Sequence, residues 1–306
     1  MKKIIIDTDC GMDDIIAISM LISAKDVVIK GIATTRGLTD PDIGKNNLNK
    51  IFYFLGKNIN VFSGSKYPLE EIRLNNKFPE YDVKNSTELK FLTDLTKSTE
   101  TIVKNPNKDE VNNFYYRTVS LNKRGTTILC LGPLTNLSKV INKYKGRFTN
   151  KIDKLFIMGG AVFSSGNVPP SKKAEYNFFL DPEAADFVLQ SNVPVVLIPT
   201  DVTKFVPFTK YIKNKISKKN PETKSGKLIQ RVILSNNNDF RFFYDPLAAS
   251  VLIDSKIILE SKRVDLCVNE QGQSLVMKKR YKRSNISVVT KVDKNRFYKL
   301  LFNKLK

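Results

Sequence analysis

Four carboxylates crowd into the eight residues from Asp7 to Asp14: Asp7, Asp9, Asp13 and Asp14, in the run Asp7-Thr8-Asp9-Cys10-Gly11-Met12-Asp13-Asp14. An apolar triplet, Ile4-Ile5-Ile6, precedes them, and a second apolar stretch, residues 15–22, follows. Carboxylates a few ångströms apart repel one another, and burying them is costly unless protons, hydrogen bonds or a cation compensate. Asp13 and Asp14 alone would suit the positive end of a helix, but that leaves Asp7 and Asp9 unexplained. A hard divalent cation answers for all four, and an oxygen-only ligand set favours Ca²⁺ or Mg²⁺ over a thiophilic metal. Gly11 is read as the sharp turn that lets the two pairs converge.

Such a cluster needs a rigid frame. Residues 3–6 read as a buried strand, residues 15–23 as a helix and residues 27–33 as a second strand. That order predicts a parallel pair joined by a right-handed crossover. The acidic loop then lies at the carboxyl edge of the sheet, where open α/β folds bind ligands. The loop Thr34-Thr35-Arg36-Gly37-Leu38 falls at the same edge. Residues 61–64, 126–131, 154–158 and 193–199 read as further strands, with helices over 44–55, after Asn136, and from Pro182, a residue suited to a first helical position. Residues 70–94 weaken into polar sequence and read as a lid or surface loop; residues 89–116 look helical in pieces, broken near Asn105-Pro106. Residues 264–289 read as a β-meander or hairpin. With no repeats, low-complexity tracts or linkers, the expected fold is a single α/β domain over residues 1–306. Its central sheet is mostly parallel and doubly wound, with the small meander or hairpin at the C-terminal end.

Composition narrows the function classes. The chain has 306 residues, 41% of them hydrophobic, enough for one large core. No stretch approaches the roughly 18 apolar residues that span a bilayer, so no membrane partner is expected. Cys10, Cys130 and Cys267 are few and far apart, which points to a reducing, cytoplasmic setting rather than a disulfide framework. The formal charge of +21 could suit a polyanion. Lys greatly outnumbers Arg, however, the charges are scattered, and no nucleic-acid-binding motif is present, so no specific nucleic-acid partner is expected. The densest segments, residues 204–231 and 278–306, read as solvated helical faces.

A strand, acidic loop and helix also resemble the haloacid-dehalogenase phosphatases, but their pattern wants Thr or Val two places after the second Asp, where Gly11 stands. The longer string Asp7-Thr8-Asp9-x-Gly11-x-Asp13-Asp14 instead resembles the inosine-uridine nucleoside hydrolases. Four more stretches carry the same resemblance, in order: Leu131-Gly132-Pro133-Leu134-Thr135-Asn136; Met158-Gly159-Gly160-Ala161; Ala174-Glu175-Tyr176-Asn177 with Asp181-Pro182-Glu183-Ala184; and Asp245-Pro246-Leu247-Ala248. The resemblance implies Ca²⁺ bound by Asp9, Asp14, Asp245 and the backbone carbonyl of Leu131. It implies that Asp7 supports the loop from behind. Asp13, Asn167, Glu175 and Asn177 would hold the ribose of a ribonucleoside substrate, with Met158 packed near the sugar and Asp9 as the base that deprotonates water. A homodimer or homotetramer is implied as well. Cleavage of an N-ribosidic bond builds positive charge at the anomeric carbon and asks for a base, a placed water and a leaving-group acid.

The departures concern the base half of that site. No histidine occurs in the chain, and Tyr244 stands where the family usually has the His that protonates a leaving purine. Leu38 replaces a common Asn, the usual His-Gly after Pro68 is missing, and Asn167 and Glu175 are two residues further apart than is common. A phenol near its ordinary pKa of about 10 donates hydrogen bonds well but protons poorly, unless a cation such as Arg241 lowers it. The alternative is therefore a catalytically weakened nucleoside- or ribose-binding relative.

Overall fold

A computed structural model describes residues 1–70, 110–122, 125–235, 241–277 and 285–306. The segment read as a lid, and most of the region read as broken helix, lie outside the described residues. Ten strands are described: β1 (Lys2–Thr8), β2 (Val27–Thr34), β3 (Val61–Ser63), β4 (Thr126–Cys130), β5 (Ile152–Met158), β6 (Val195–Ile198), β7 (Ile258–Arg263), β8 (Leu266–Val268), β9 (Ser274–Val276) and β10 (Ile286–Val292). Eight of them form one sheet in the order β3-β2-β1-β4-β5-β6-β10-β7. Every pair is parallel except β10 with β7. The chain steps outward from β1 through β2 to β3, then returns to the other side of β1 to place β4, β5 and β6. The switch point of the sheet therefore lies between β1 and β4, and the acidic loop leaves β1 there.

The helices cover both faces: α1 (Met12–Ile22), α2 (Pro41–Leu55), α3 (Glu110–Leu121), α4 (Thr135–Tyr144), α5 (Tyr176–Leu180), α6 (Pro182–Leu189), α7 (Lys210–Ser217), α8 (Lys224–Ser235), α9 (Tyr244–Ile253) and α10 (Lys294–Asn303). Strand alternation sorts the core into two layers. Ile4 and Ile6 face the side packed by α1, α2, α8, α9 and α10, whereas Ile5 faces the side packed by α3, α4 and α6. A strand buried on both faces needs such a continuous apolar run. α1 is buried from Met12 to Leu21, apolar nearly all round as a core helix must be, and this holds its acidic first turn rigidly at the sheet edge.

Two basic segments are amphipathic rather than wholly solvated. α7 buries Ile212 and Ile216, α8 buries Leu228, Ile229, Val232 and Ile233, and α10 buries Phe297 and Leu301. The C-terminal strands divide in a way the sequence pattern hides. β8 and β9 form the expected antiparallel hairpin, but β10 leaves it and joins the main sheet between β6 and β7. Its buried Ile286, Val288 and Val289 make it a central strand. β7, at the edge, carries Glu260, Lys262 and Arg263 on largely exposed positions, charges that discourage pairing with another chain. Among the described residues, no helix is long and apolar enough to cross a membrane.

Candidate active site

The turn out of β1 falls one residue earlier than expected. Cys10, not Gly11, adopts the left-handed conformation (φ 61°), while Gly11 is extended (φ −71°, ψ 179°). Gly11 is instead a point of close approach: a Cβ there would lie 2.5 Å from Leu38 Cδ1, so that side chain would have to shift. The loop is held by its own polar groups. Thr8 Oγ1 donates to Asp14 and accepts from Cys10 N at 3.0 Å, and Gly11 N donates to Asp14 Oδ2 at 2.9 Å. Asp9 is fixed from the neighbouring loop, since Leu38 N donates to its Oδ2 at 2.9 Å and Thr39 Oγ1 to its carbonyl at 2.7 Å. The backbone N–H at position 38 therefore steadies Asp9 whatever the side chain.

Asp13, Asp14 and Asp245 converge, each offering a carboxylate oxygen within 4.8 Å of the others'. Asp13 and Asp14 come from the first turn of α1 and Asp245 from the first turn of α9. Asp9 borders the trio, its carboxylate interacting with that of Asp14. All four side chains are buried. Burial raises the pKa of Asp9, Asp14 and Asp245, and for Asp14 and Asp245 the neighbouring aspartates raise it further. A dication would relieve both penalties, and the donors are all hard oxygens, so the residues fit the cation expected from the sequence.

Of the residues expected around a sugar, Glu175 lies in electrostatic reach of Asp9, and the others are tied to one another and to neighbouring backbone. Asn177 Nδ2 donates to the carbonyls of Leu131 (3.0 Å) and Met158 (3.2 Å), which leaves its Oδ1 as the acceptor to offer a ligand. Met158, buried at the end of β5, lies with its sulfur 3.6 Å from that amide. Glu175 is first of all a helix cap: its carboxylate accepts from Gly160 N (2.9 Å), Asn177 N (3.0 Å) and Phe178 N (3.2 Å). Burial nevertheless pushes it up to about 7, against those hydrogen bonds. Asn167 Oδ1 accepts from Tyr176 N at 2.9 Å, and its side chain also bonds the Tyr244 hydroxyl.

Tyr244 opens α9 beside Asp245, half-buried, with its ring edge-on to Phe242 at 5.8 Å. Desolvation, followed by the negative charge of Asp13, pushes its pKa up to about 12; Asn167 and, most weakly, Arg241 pull the other way. Arg241 thus acts on Tyr244 only weakly, through its charge, and at neutral pH the phenol is a hydrogen-bond donor.

Sequence reasoning missed several residues. Asp7 is buried behind the loop, as expected, but its holders are Tyr115 from α3 and Asn136 from α4. Asn136 stood within a quoted motif; Tyr115 carries no local signal at all. Asp201, two residues past the strand read over 193–199, accepts from Val162 N (2.9 Å) and Phe163 N (2.6 Å), bracing the loop that leads to Asn167.

The doubly wound sheet and the buried carboxylates at its switch point define an α/β protein with an acidic, cation-suited pocket. The chain belongs to the inosine-uridine preferring nucleoside hydrolase family, whose model matches residues 4–299. It is 29% identical over 280 residues to a probable uridine nucleosidase 2 of Oryza sativa, covering 89% of this chain and 79% of that one. It is 31% identical over 205 residues to the pyrimidine-specific ribonucleoside hydrolase RihA of Citrobacter koseri, and 30% over 203 residues to an uncharacterised protein of Schizosaccharomyces pombe. Those two matches cover 65% and 66% of this chain but only 60% and 62% of the relatives. The crystal structure of an inosine-uridine preferring nucleoside hydrolase from Bacillus anthracis shares the fold with a TM-score of 0.83 at 24% identity, covering 100% of this chain and 99% of that one.

Proposed function

We propose that the protein hydrolyses the N-ribosidic bond of ribonucleosides, giving free base and ribose, with Ca²⁺ held by Asp9, Asp14, Asp245 and the Leu131 carbonyl. The observation that carries this reading is the convergence of the buried carboxylates Asp13, Asp14 and Asp245, from stretches more than two hundred residues apart in sequence, with Asp9 and Glu175 in electrostatic reach of one another and of that cluster's edge. When bound, the cation supplies positive charge that compensates the carboxylates and lowers the pKa of water.

The chain's own groups supply the rest. Asp9 is oriented by the Leu38 N–H, and its carboxylate takes a proton from the attacking water. Asp13, Asn167, Glu175 and Asn177 hold the ribose hydroxyls, and their fixed dipoles and charges favour positive charge developing on the ring. Glu175 has three of its lone pairs committed to backbone N–H groups, so its share in sugar binding is a single further contact. Tyr244 contributes a neutral donor toward the base side.

One observation favours a second reading. The phenol raised to about 12 is a poor acid for a leaving purine, which suits a nucleoside- or ribose-binding relative with weakened catalysis. Purified protein with Ca²⁺, incubated with inosine, adenosine, uridine and cytidine, separates the two. Ribose release that disappears with a chelator supports hydrolysis; nucleoside binding without release supports the second reading; neither binding nor release refutes both.

A further inference from the structure

The Leu131–Asn136 motif ends in a residue that the proposed chemistry does not use. Asn136 is 2% exposed, and its amide satisfies three strand ends at once. Its Nδ2 donates to Asp7 Oδ1 at the end of β1 (3.1 Å) and to the Thr34 carbonyl at the end of β2 (3.0 Å). Its Oδ1 accepts from Ser65 N, just beyond β3, at 2.8 Å. The loop after β3 is brought against it at Gly64, where a Cβ would stand 2.4 Å from Asn136 Oδ1 and 2.4 Å from the Thr34 carbonyl. No other side chain of this size offers two donors and an acceptor, apart from the longer Gln.

Asp7 passes this order on. Its second carboxylate oxygen accepts from the Tyr115 hydroxyl, so both oxygens are held from behind the sheet. Its backbone carbonyl accepts from Leu131 N at 2.8 Å, which fixes the peptide immediately before the one that carries the Leu131 carbonyl. Two residues on stands Asp9. The two stretches of chain that lead to the Asp9 carboxylate and the Leu131 carbonyl are thus anchored by groups on the far side of β1.

We propose that Asn136 is a positioning residue for the cation site, acting with Tyr115 through Asp7, so that it sets cation affinity without touching the cation or the substrate. This rests on the cation reading above. Groups that orient metal ligands are worth about 10- to 100-fold in metal affinity. The test is calcium titration calorimetry on the full chain, with the thermal midpoint in chelator and the kcat at saturating Ca²⁺ measured alongside. Asn136→Ala should weaken Ca²⁺ binding by about 10- to 100-fold, and Tyr115→Phe, which removes only the hydroxyl, by about tenfold. In both, excess Ca²⁺ should bring kcat back to within about threefold of the wild type. Variants with a lowered midpoint but a Ca²⁺ affinity within about twofold of wild type would make the network merely structural and overturn the proposal. If Asn136→Ala does not fold, Tyr115→Phe decides by the same criterion. Wild-type protein that binds no divalent cation would overturn the cation reading and this proposal together, whereas tight wild-type binding with unchanged variants overturns this one alone.

Discussion

Removing the cation and raising the pH should destabilise the protein, and the size of the effect follows from its buried acids. Asp7 is raised from 3.8 to about 7 and Glu175 from 4.5 to about 7, both chiefly by desolvation. Between the unfolded and folded values the native chain holds protons that the unfolded chain has released. Stability therefore falls with pH across that window, from about 4 to about 7, and levels off above it. At about 1.4 kcal/mol per pH unit for each group, Asp7 costs about 4 kcal/mol and Glu175 about 3 kcal/mol by the top of the window. Asp9, Asp14 and Asp245 are raised as well and act in the same direction. The absence of histidine sharpens the test, because no imidazole titrates across the same interval. Loss of net positive charge with rising pH would by itself relax self-repulsion, the opposite trend. Urea unfolding in chelator, followed by circular dichroism at pH values from about 5 to about 8, gives the slope directly. A stability that stays level within about 1 kcal/mol, or rises, over that interval would refute the reasoning; added Ca²⁺ should flatten the fall.

Three further outcomes are expected. Asp14→Asn keeps the shape of a residue that accepts from Gly11 N and Thr8 but should abolish both Ca²⁺ binding and ribose release in a folded chain; wild-type calcium affinity in that variant would remove Asp14 from the cation site. Tyr244→Phe should cost only a few-fold on any nucleoside, since the neutral phenol offers a hydrogen bond; a loss above about 10³-fold confined to inosine and adenosine would make it the general acid. Light scattering should find a homodimer or homotetramer, and a monomer at working concentration would contradict that.

The acidic cluster was legible because its chemistry is written in short, local strings. The acidic run, the buried strand before it and the apolar helix after it fix one another's geometry within about twenty residues, so their place at the sheet edge followed from chain direction alone. Pattern reading gives Gly11 the sharp turn; the residue in the left-handed region is its neighbour Cys10, and Gly11 is where Leu38 comes close. Glu175 caps the short helix that follows it through Asn177 N and Phe178 N, a local role, while its third donor, Gly160 N, comes from another loop and has no local signal. Tyr115 meets Asp7 across 108 residues, and nothing in an amphipathic helix distinguishes a phenol that reaches a carboxylate from one that merely packs. β10 was unreadable for a related reason, since an apolar strand shows that it is buried but not which neighbour it pairs with.

The position of β10 has a bearing on how the protein comes into being on the ribosome. β7 is made before β10 yet has no partner in the sheet until β10 arrives to separate it from β6. The layer beneath is in the same state, because Phe297 and Leu301 of α10 join the cluster that also buries Ile4, Ile6 and most of α1. The amino-terminal half of that core is therefore synthesised first and covered last. A nascent chain halted before Ile286 would display an unclosed parallel edge at β6 together with an open apolar face, the surfaces through which incomplete sheets aggregate or recruit chaperones.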